Sequence, residues 1–233
     1  MKAIIVSLLV LTGFTAADRD WKKERAVSGF SGLSVSSGID VYLTQGNSEK
    51  LTFEAKGVEE EDVKSEIKNG VLRLYIDRRG MNWGLNFGKD RYVKAYLTFK
   101  QLKNLQASGG ADVFGQNKLT FNDLNIEASG GSDVKLELEA SELNVSASGG
   151  ADAILQGTAR TLNANGSGGA DLDARKLTAE ICNANSSGGS DVYVNATKEI
   201  SMKASGGSDI YYYGSAKVLA KSESGGSDIS KRN

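Results

Sequence analysis

The chain has 233 residues, with 28 basic against 29 acidic side chains, no histidine, no proline and a single cysteine, Cys182. Without histidine it has no Ser-His-Asp or Cys-His nucleophile system and no His-ligated zinc, and its near-neutral charge gives no long-range attraction to nucleic acid or anionic lipid. One cysteine forms no intrachain disulfide, so packing and hydrogen bonds must hold the fold, and Cys182 reads as a buried apolar side chain.

In chain order, the first element is a secretory leader over residues 1–17. Lys2 precedes an apolar run, and Thr15-Ala16-Ala17 offers small residues before Asp18. The run is shorter than the roughly 20 residues that span a bilayer. No later segment is apolar enough to cross one, so no membrane span is expected after cleavage. The mature chain, 18–233, is expected to be one domain.

Ser37-Gly38-Ile39-Asp40-Val41 is a degenerate first copy of a repeat described below, and residues 51–56, 71–77 and 92–99 alternate in polarity as strands do. Two insertions separate them. One is an acidic segment, 58–67, with helical spacing; the other is a Gly-rich loop, 78–89, in which Met81, Trp83, Leu85 and Phe87 cluster.

From residue 102 to 229 the chain is a repeat. Ala107-Ser-Gly-Gly-Ala-Asp-Val113 recurs seven times in all, with its serines at 108, 129, 148, 167, 187, 205 and 224 and spacings of 21, 19, 19, 20, 18 and 19. A period of this size signals a stacked array. Before each serine the apolar residues alternate with polar ones, as at Leu124, Ile126 and Ala128, and after the glycines the alternation resumes, as at Val134, Leu136 and Leu138. Each repeat is therefore two strands around a corner. Gly109, Gly130, Gly149, Gly168, Gly188, Gly206 and Gly225 supply the sharp change of direction. Hairpins in a meander and coils of a β-helix both fit this pattern. The recurrence of like residues at like positions favours the β-helix, in which parallel in-register stacking makes columns. The last copy places Lys221 and Glu223 where others are apolar, as a terminal cap requires.

Ser37-Gly-Ile-Asp-Val-Tyr-Leu-Thr-Gln-Gly46, Asn69-Gly-Val-Leu-Arg-Leu-Tyr75 and the repeated Ser-Gly-Gly-(Ala/Ser)-Asp-Val resemble the bacterial head-GIN-domain family of auto-transporter adhesins, over residues 30–229. The resemblance implies an all-β fold, a single-stranded right-handed parallel β-helix of about twenty-residue coils with irregular N-terminal coils. It carries across no catalytic or binding residue.

Asp112, Asp133, Asp152, Asp171, Asp191, Asp209 and Asp228 should form one column, each capping backbone donors at its own corner. Their motif is similar to the Gly-Gly-x-Gly-x-Asp repeat of calcium-binding β-rolls. However, the second spaced glycine is missing and the motif occurs once per coil, so half the usual ligands are lacking and no metal or cofactor is implied. Asn104, Asn125, Asn144, Asn163 and Asn183 should form a hydrogen-bonded amide ladder.

An active site should break the repeat with several unlike polar groups; one regularly repeated carboxylate does not, and catalysis is not expected. The expected function is non-catalytic, adhesin-like binding of a glycan or protein at the envelope. The alternatives are a scaffolding envelope protein and, less favoured, a polysaccharide-active enzyme. The expected binding surface is the stripe two residues beyond each motif aspartate, with Phe114, Lys135, Ile154, Asp173, Tyr193 and Tyr211 outward and Tyr213 extending it; Trp83 and Phe87 of the loop are a second candidate. Tyr193 and Tyr211 should be neighbours forming a ring platform.

Overall fold

The computed structural model describes residues 20–77 and 91–233. The expected leader, 1–17, and the loop bearing Met81, Trp83, Leu85 and Phe87 lie outside the described residues.

The fold is a parallel β-solenoid of about seven coils. Among the described residues there is no helix. Its N-terminal part comprises β1 (Trp21–Arg25), β2 (Gly32–Val35), β3 (Ile39–Gln45), β4 (Lys50–Lys56), β5 (Val63–Lys68), β6 (Val71–Ile76) and β7 (Tyr92–Phe99). The repeats begin with β8 (Asn104–Ser108), β9 (Val113–Gly115) and β10 (Leu119–Ser129). Four strands then each run a whole coil: β11 (Asp133–Gly149), β12 (Asp152–Gly168), β13 (Asp171–Gly188) and β14 (Asp191–Gly206). The stack ends with β15 (Asp209–Tyr213), β16 (Lys217–Gly225) and β17 (Asp228–Lys231).

Each long strand turns mid-way. In β11 burial alternates from Val134 to Ala140, slips at Ser141 and Glu142, and resumes at Leu143. Two consecutive outward residues thus make the second corner, and the coil folds into two facing sheets. The asparagine sheet holds the segments before the glycine corner, and the aromatic sheet holds those after it.

Register is in phase across coils. Leu105, Ile126, Val145, Ala164, Ala184 and Met202 form one buried column, and Val113, Val134, Ala153, Leu172, Val192 and Ile210 face it from the other sheet. Each buried Val, Leu or Ile contributes about 1.5–3 kcal/mol of transfer free energy. Cys182 follows Leu162 in a third column, fully buried, and burial alone pushes its thiol up to about 12.

The glycine corner is built by close stacking. Gly168 has φ +74°, and a Cβ there would lie 3.1 Å from Gly149 N and 3.2 Å from Gly149 O. The following Gly169 donates its N–H to Gly149 O at 2.8 Å. Backbone sits directly on backbone, in a conformation that a β-branched residue resists.

Chain order and spatial order part company at the N-terminus. β2 pairs in parallel with both β6 and β8, and β3 with both β7 and β9, so the first coil lies between two later ones. Beyond β6 and β7 the pairing turns antiparallel, with β5 on β6, β4 on β7 and β1 on β4. These strands close that end. Trp21 Nε1 donates to Val58 O at 2.8 Å, and the Arg25 guanidinium lies 4.9 Å from the Phe53 ring while donating to Val63 O at 2.7 Å.

The acidic segment 58–67 departs from its helical expectation. Asp62 N donates to Glu59 O in a turn, and Val63–Lys68 is a strand joined to β6 through Asn69 (φ 52°) and Gly70 (φ 75°). The free edge of β6 outweighs helical spacing, and Asn-Gly between alternating runs is itself a two-residue hairpin signal. At the other end Lys221 and Glu223 stand at inward positions of the terminal coil and pair at 2.9 Å. Leu219 bulges from β16 there, and bulges and inward charges both hinder edge-to-edge pairing.

Candidate functional site

The corner column carries its hydrogen bonds differently from expectation. At four of the seven corners the cap on the corner's own backbone is a serine one residue before the aspartate: Ser132, Ser190, Ser208 and Ser227 Oγ accept the N–H of Ser129, Ser187, Ser205 and Ser224 at 3.0–3.3 Å, whereas Ala111, Ala151 and Ala170 stand at the other three. The carboxylates instead reach along the axis, Asp112 Oδ1 accepting from Asp133 N and Asp209 Oδ1 from Asp228 N, each at 3.1 Å. The hydroxyl is small enough to be buried in the corner; the charged group stays at the surface and meets the next coil. Burial, then neighbouring column members, raise Asp152 and Asp191 above the usual carboxylate range. Asp40, aligned with Asp112 through the pairing of Val41 with Val113, is raised the same way. Among the described residues no three acidic or cysteine side chains converge as metal ligands.

The asparagine sheet presents a closed ladder. Asn125, Asn144, Asn163 and Asn183 Nδ2 donate to Oδ1 of Asn104, Asn125, Asn144 and Asn163 at 3.1, 2.9, 2.7 and 2.9 Å.

The aromatic sheet is less regular. Its outward column runs Tyr96, Tyr42, Phe114, Lys135, Ile154, Asp173, Tyr193 and Tyr211. The rings form two stacks. Tyr42 stacks on Tyr96 at 5.1 Å and on Phe114 at 5.5 Å, with Lys22 over Tyr96 and Lys135 over Phe114. Tyr193 stacks on Tyr211 at 4.8 Å, between the Arg175 guanidinium at 4.2 Å and that of Arg232 at 4.7 Å. Tyr193 and Tyr211 are thus neighbours, but parallel stacking turns ring faces along the solenoid axis. Neighbouring rings and cations cover those faces, leaving ring edges toward solvent in place of a flat platform, and Tyr211 Oη donates to Asp209 Oδ2 at 3.0 Å. Tyr213 pairs in register with Asn195, one outward column farther on.

The longer coils bulge on this face. Between Phe114↔Lys135 and Leu119↔Leu138, four residues, 115–118, face two, which accounts for the spacing of 21. Side-chain amides replace the interrupted ladder. Asn117 bonds both the N–H and C=O of Gln45, and the Gln45 amide bonds both the N–H and C=O of Thr120. A second bulge, marking the spacing of 20, lies at residues 174–176, where Arg175 Nε donates to Asp173 Oδ1 at 2.8 Å.

Beside the first bulge lies an open groove of about 460 Å³, lined in part by Tyr42, Phe114, Gln116, Lys135, Ile154 and Gln156, with Asn117 and Glu137 at its side. That is within the usual size range of small-ligand sites, about 300–1,000 Å³. Ile154 is 42% exposed on its floor. Two polar contacts order its rim: Lys135 Nζ bonds Asp133 Oδ2 at 3.0 Å, and Gln156 Nε2 donates to Glu137 Oε2 at 3.2 Å. Phe114, Tyr193, Tyr211 and Tyr213 were legible as outward residues. Glu137 follows from the same alternation, but Gln116 and Asn117 were not legible as groove residues, although the 21-residue spacing marked their coil.

Comparison with known proteins now gives this architecture a family. A model for "Putative auto-transporter adhesin, head GIN domain" matches residues 29–216. The chain belongs to that family. A crystal structure described as a putative adhesin from Bacteroides fragilis is similar at 26% identity and TM-score 0.81, covering 91% of this chain and 97% of that one. A further structure, described as a putative adhesin from Parabacteroides merdae (17% identity, TM-score 0.70, covering 92% and 97%), has the same fold. So does one described as a putative lipid binding protein from Parabacteroides distasonis (18% identity, TM-score 0.67, covering 92% and 97%). Among curated proteins, none matches. The family and these neighbours carry adhesin or binding-protein names rather than enzyme names, and no helix among the described residues is long and apolar enough to cross a membrane.

Proposed function

We propose that the chain is an exported, non-catalytic binding protein of the cell envelope, in which residues 18–233 act as one unit and the groove of the aromatic sheet receives part of a glycan or an exposed protein segment. The observation that carries this reading is the exposed Ile154, in a groove lined by unlike polar groups beside the coil that departs from the repeat. Large exposed apolar side chains set in a concavity mark interaction sites more often than scattered ones do. The leader pattern at residues 1–17 and membership of the adhesin family support export and adhesion. Repetition of the contact across several molecules on a surface would raise weak affinity to useful avidity.

A second reading, a purely structural envelope protein, is favoured by the closed amide ladder and the cation-capped stacks, whose groups satisfy one another. A glycan array run beside hydrolase and lyase assays separates the readings. Binding without turnover, reduced in Ile154→Asp, supports the proposal. Turnover of a polysaccharide would overturn it, and so would silence on the array together with silence in adhesion to whole cells.

A further inference from the structure

We infer that the groove selects uncharged oligosaccharides, a conclusion that rests on the binding reading above and names the ligand class for the same site. The observations are its charge balance, its polar groups and its backbone.

Charge comes first. The groove is flanked by the aspartate column, with Asp112, Asp133, Asp152 and Asp171 each two residues before a position of the outward stripe. Glu137 adds a carboxylate within the groove. The two nearby cations already bond column or stripe carboxylates, Lys135 with Asp133 and Arg175 with Asp173. An anionic sugar would meet uncompensated like charge, which costs it affinity at short range. A cationic chain would be repelled at short range by Lys135, which lines the groove, and would compete with it for Asp133.

The polar groups are of the kind that bind hydroxyls. Gln116 and Gln156 present exposed carboxamides, and Glu137 has acceptor capacity beyond its bond to Gln156. Two outward columns stand side by side along the strands: apolar Ile154 beside Gln156, and Lys135 beside Glu137. A sugar ring offers the matching pair, a C–H surface for Ile154 and the Phe114 edge, and hydroxyls for the amides and carboxylate. The ring faces of both aromatic stacks are covered, so the contact falls on this aliphatic floor.

The backbone argues against a peptide. β11 and β12 pair with each other from Asp133 to Ala140, and from Val134 to Ala140 the other side of β11 lacks a register partner only over residues 136–137, too short an edge for β-augmentation.

The test is calorimetric titration of the full mature chain with three neutral probes, maltohexaose, mannohexaose and xylohexaose, and with hexagalacturonate and hexalysine as charged probes. Ile154→Asp and Gln156→Ala are run alongside the parent, and their melting curves should overlay it because both side chains are exposed. The expected result is binding of at least one neutral probe, changed less than about twofold between about 50 and 500 mM NaCl. Ile154→Asp should weaken that binding by about tenfold or more, the scale of a lost apolar contact replaced by a desolvated charge. Binding of hexagalacturonate or hexalysine alone, altered by Ile154→Asp, overturns the ligand class while leaving the groove as the binding site. Binding of a neutral probe that neither substitution alters overturns the groove itself. No heat from any neutral probe up to about 10 mM, weaker than any useful single contact, also overturns the inference.

Discussion

The two sheets of one solenoid put the same repeat to different uses. On the asparagine sheet the ladder column keeps register from Asn104 to Asn183, the amides bonding from coil to coil without interruption, and only the terminal coil bulges, at Leu219. On the aromatic sheet the coils of 21 and 20 residues bulge, amides of Gln45 and Asn117 stand in for backbone pairing, and a groove opens with an exposed isoleucine. Regularity consumes polar groups internally; irregularity leaves them facing outward. On the proposed reading, the first sheet holds the rod together and the second is the binding face.

The strongest break to the regular part lies at its corner. Gly168→Val forces a branched residue to φ +74° and brings its Cβ against Gly149 backbone. The expected cost is about 2–4 kcal/mol, combining left-handed strain with displacement of the stacked corner. Gly150, second in its pair, has no positive φ and nothing within 4 Å of an added Cβ, so Gly150→Ala should melt with the parent. Thermal melts of the two variants check this, and equal melting temperatures would mean that the corner relaxes.

Asn144→Ala removes two ladder bonds, the donation to Asn125 and the acceptance from Asn163. The expected loss is about 1–2 kcal/mol, at the low end of hydrogen-bond contributions because the column is partly solvated. Asn104→Ala, at the end of the ladder, removes one bond and should cost about half as much. Urea unfolding midpoints of the two variants give the ratio.

A smaller effect comes from pH. Asp40, Asp152 and Asp191 are raised by burial and by neighbouring carboxylates, so each binds its proton more readily in the folded chain than in the unfolded one. For such a group stability is full below the unfolded value and falls as pH rises through the folded value. Acidification from neutrality toward about pH 4, the ordinary carboxylate range, should therefore raise the melting temperature modestly. Asp152→Asn with Asp191→Asn should flatten that slope. A parent whose stability falls steadily from pH 7 downward would contradict the assignment.

Much of this architecture was written in the repeat. The period, the glycine corner, the strand alternation and the amide ladder all follow from residues that recur at fixed offsets, because in-register stacking turns recurrence in sequence into adjacency in space. What escaped lies where long-range pairing decides. Nothing local in residues 32–45 says that their coil lies between β6 and β8, since that order is set by edges contributed from distant strands. The helical spacing of residues 58–67 points away from the strand at Val63–Lys68, although Asn69-Gly70 marks a hairpin. The outward aromatics were legible as positions, but the direction of their faces was not: Tyr193 and Tyr211 on consecutive coils have no room to lie flat and stack instead. The groove needed the register itself, in which a spacing of 21 becomes four residues facing two.

The division of labour between the sheets is tested most directly by one crossed experiment, in which melting temperature and glycan-array binding are measured together for Asn144→Ala and Ile154→Asp. The account predicts opposite outcomes: Asn144→Ala melts lower yet retains binding when assayed well below its transition, whereas Ile154→Asp melts with the parent and loses about tenfold or more in binding. If Ile154→Asp lowers the melting temperature and leaves binding intact, or Asn144→Ala abolishes binding without loss of stability, the assignment of the two faces is contradicted.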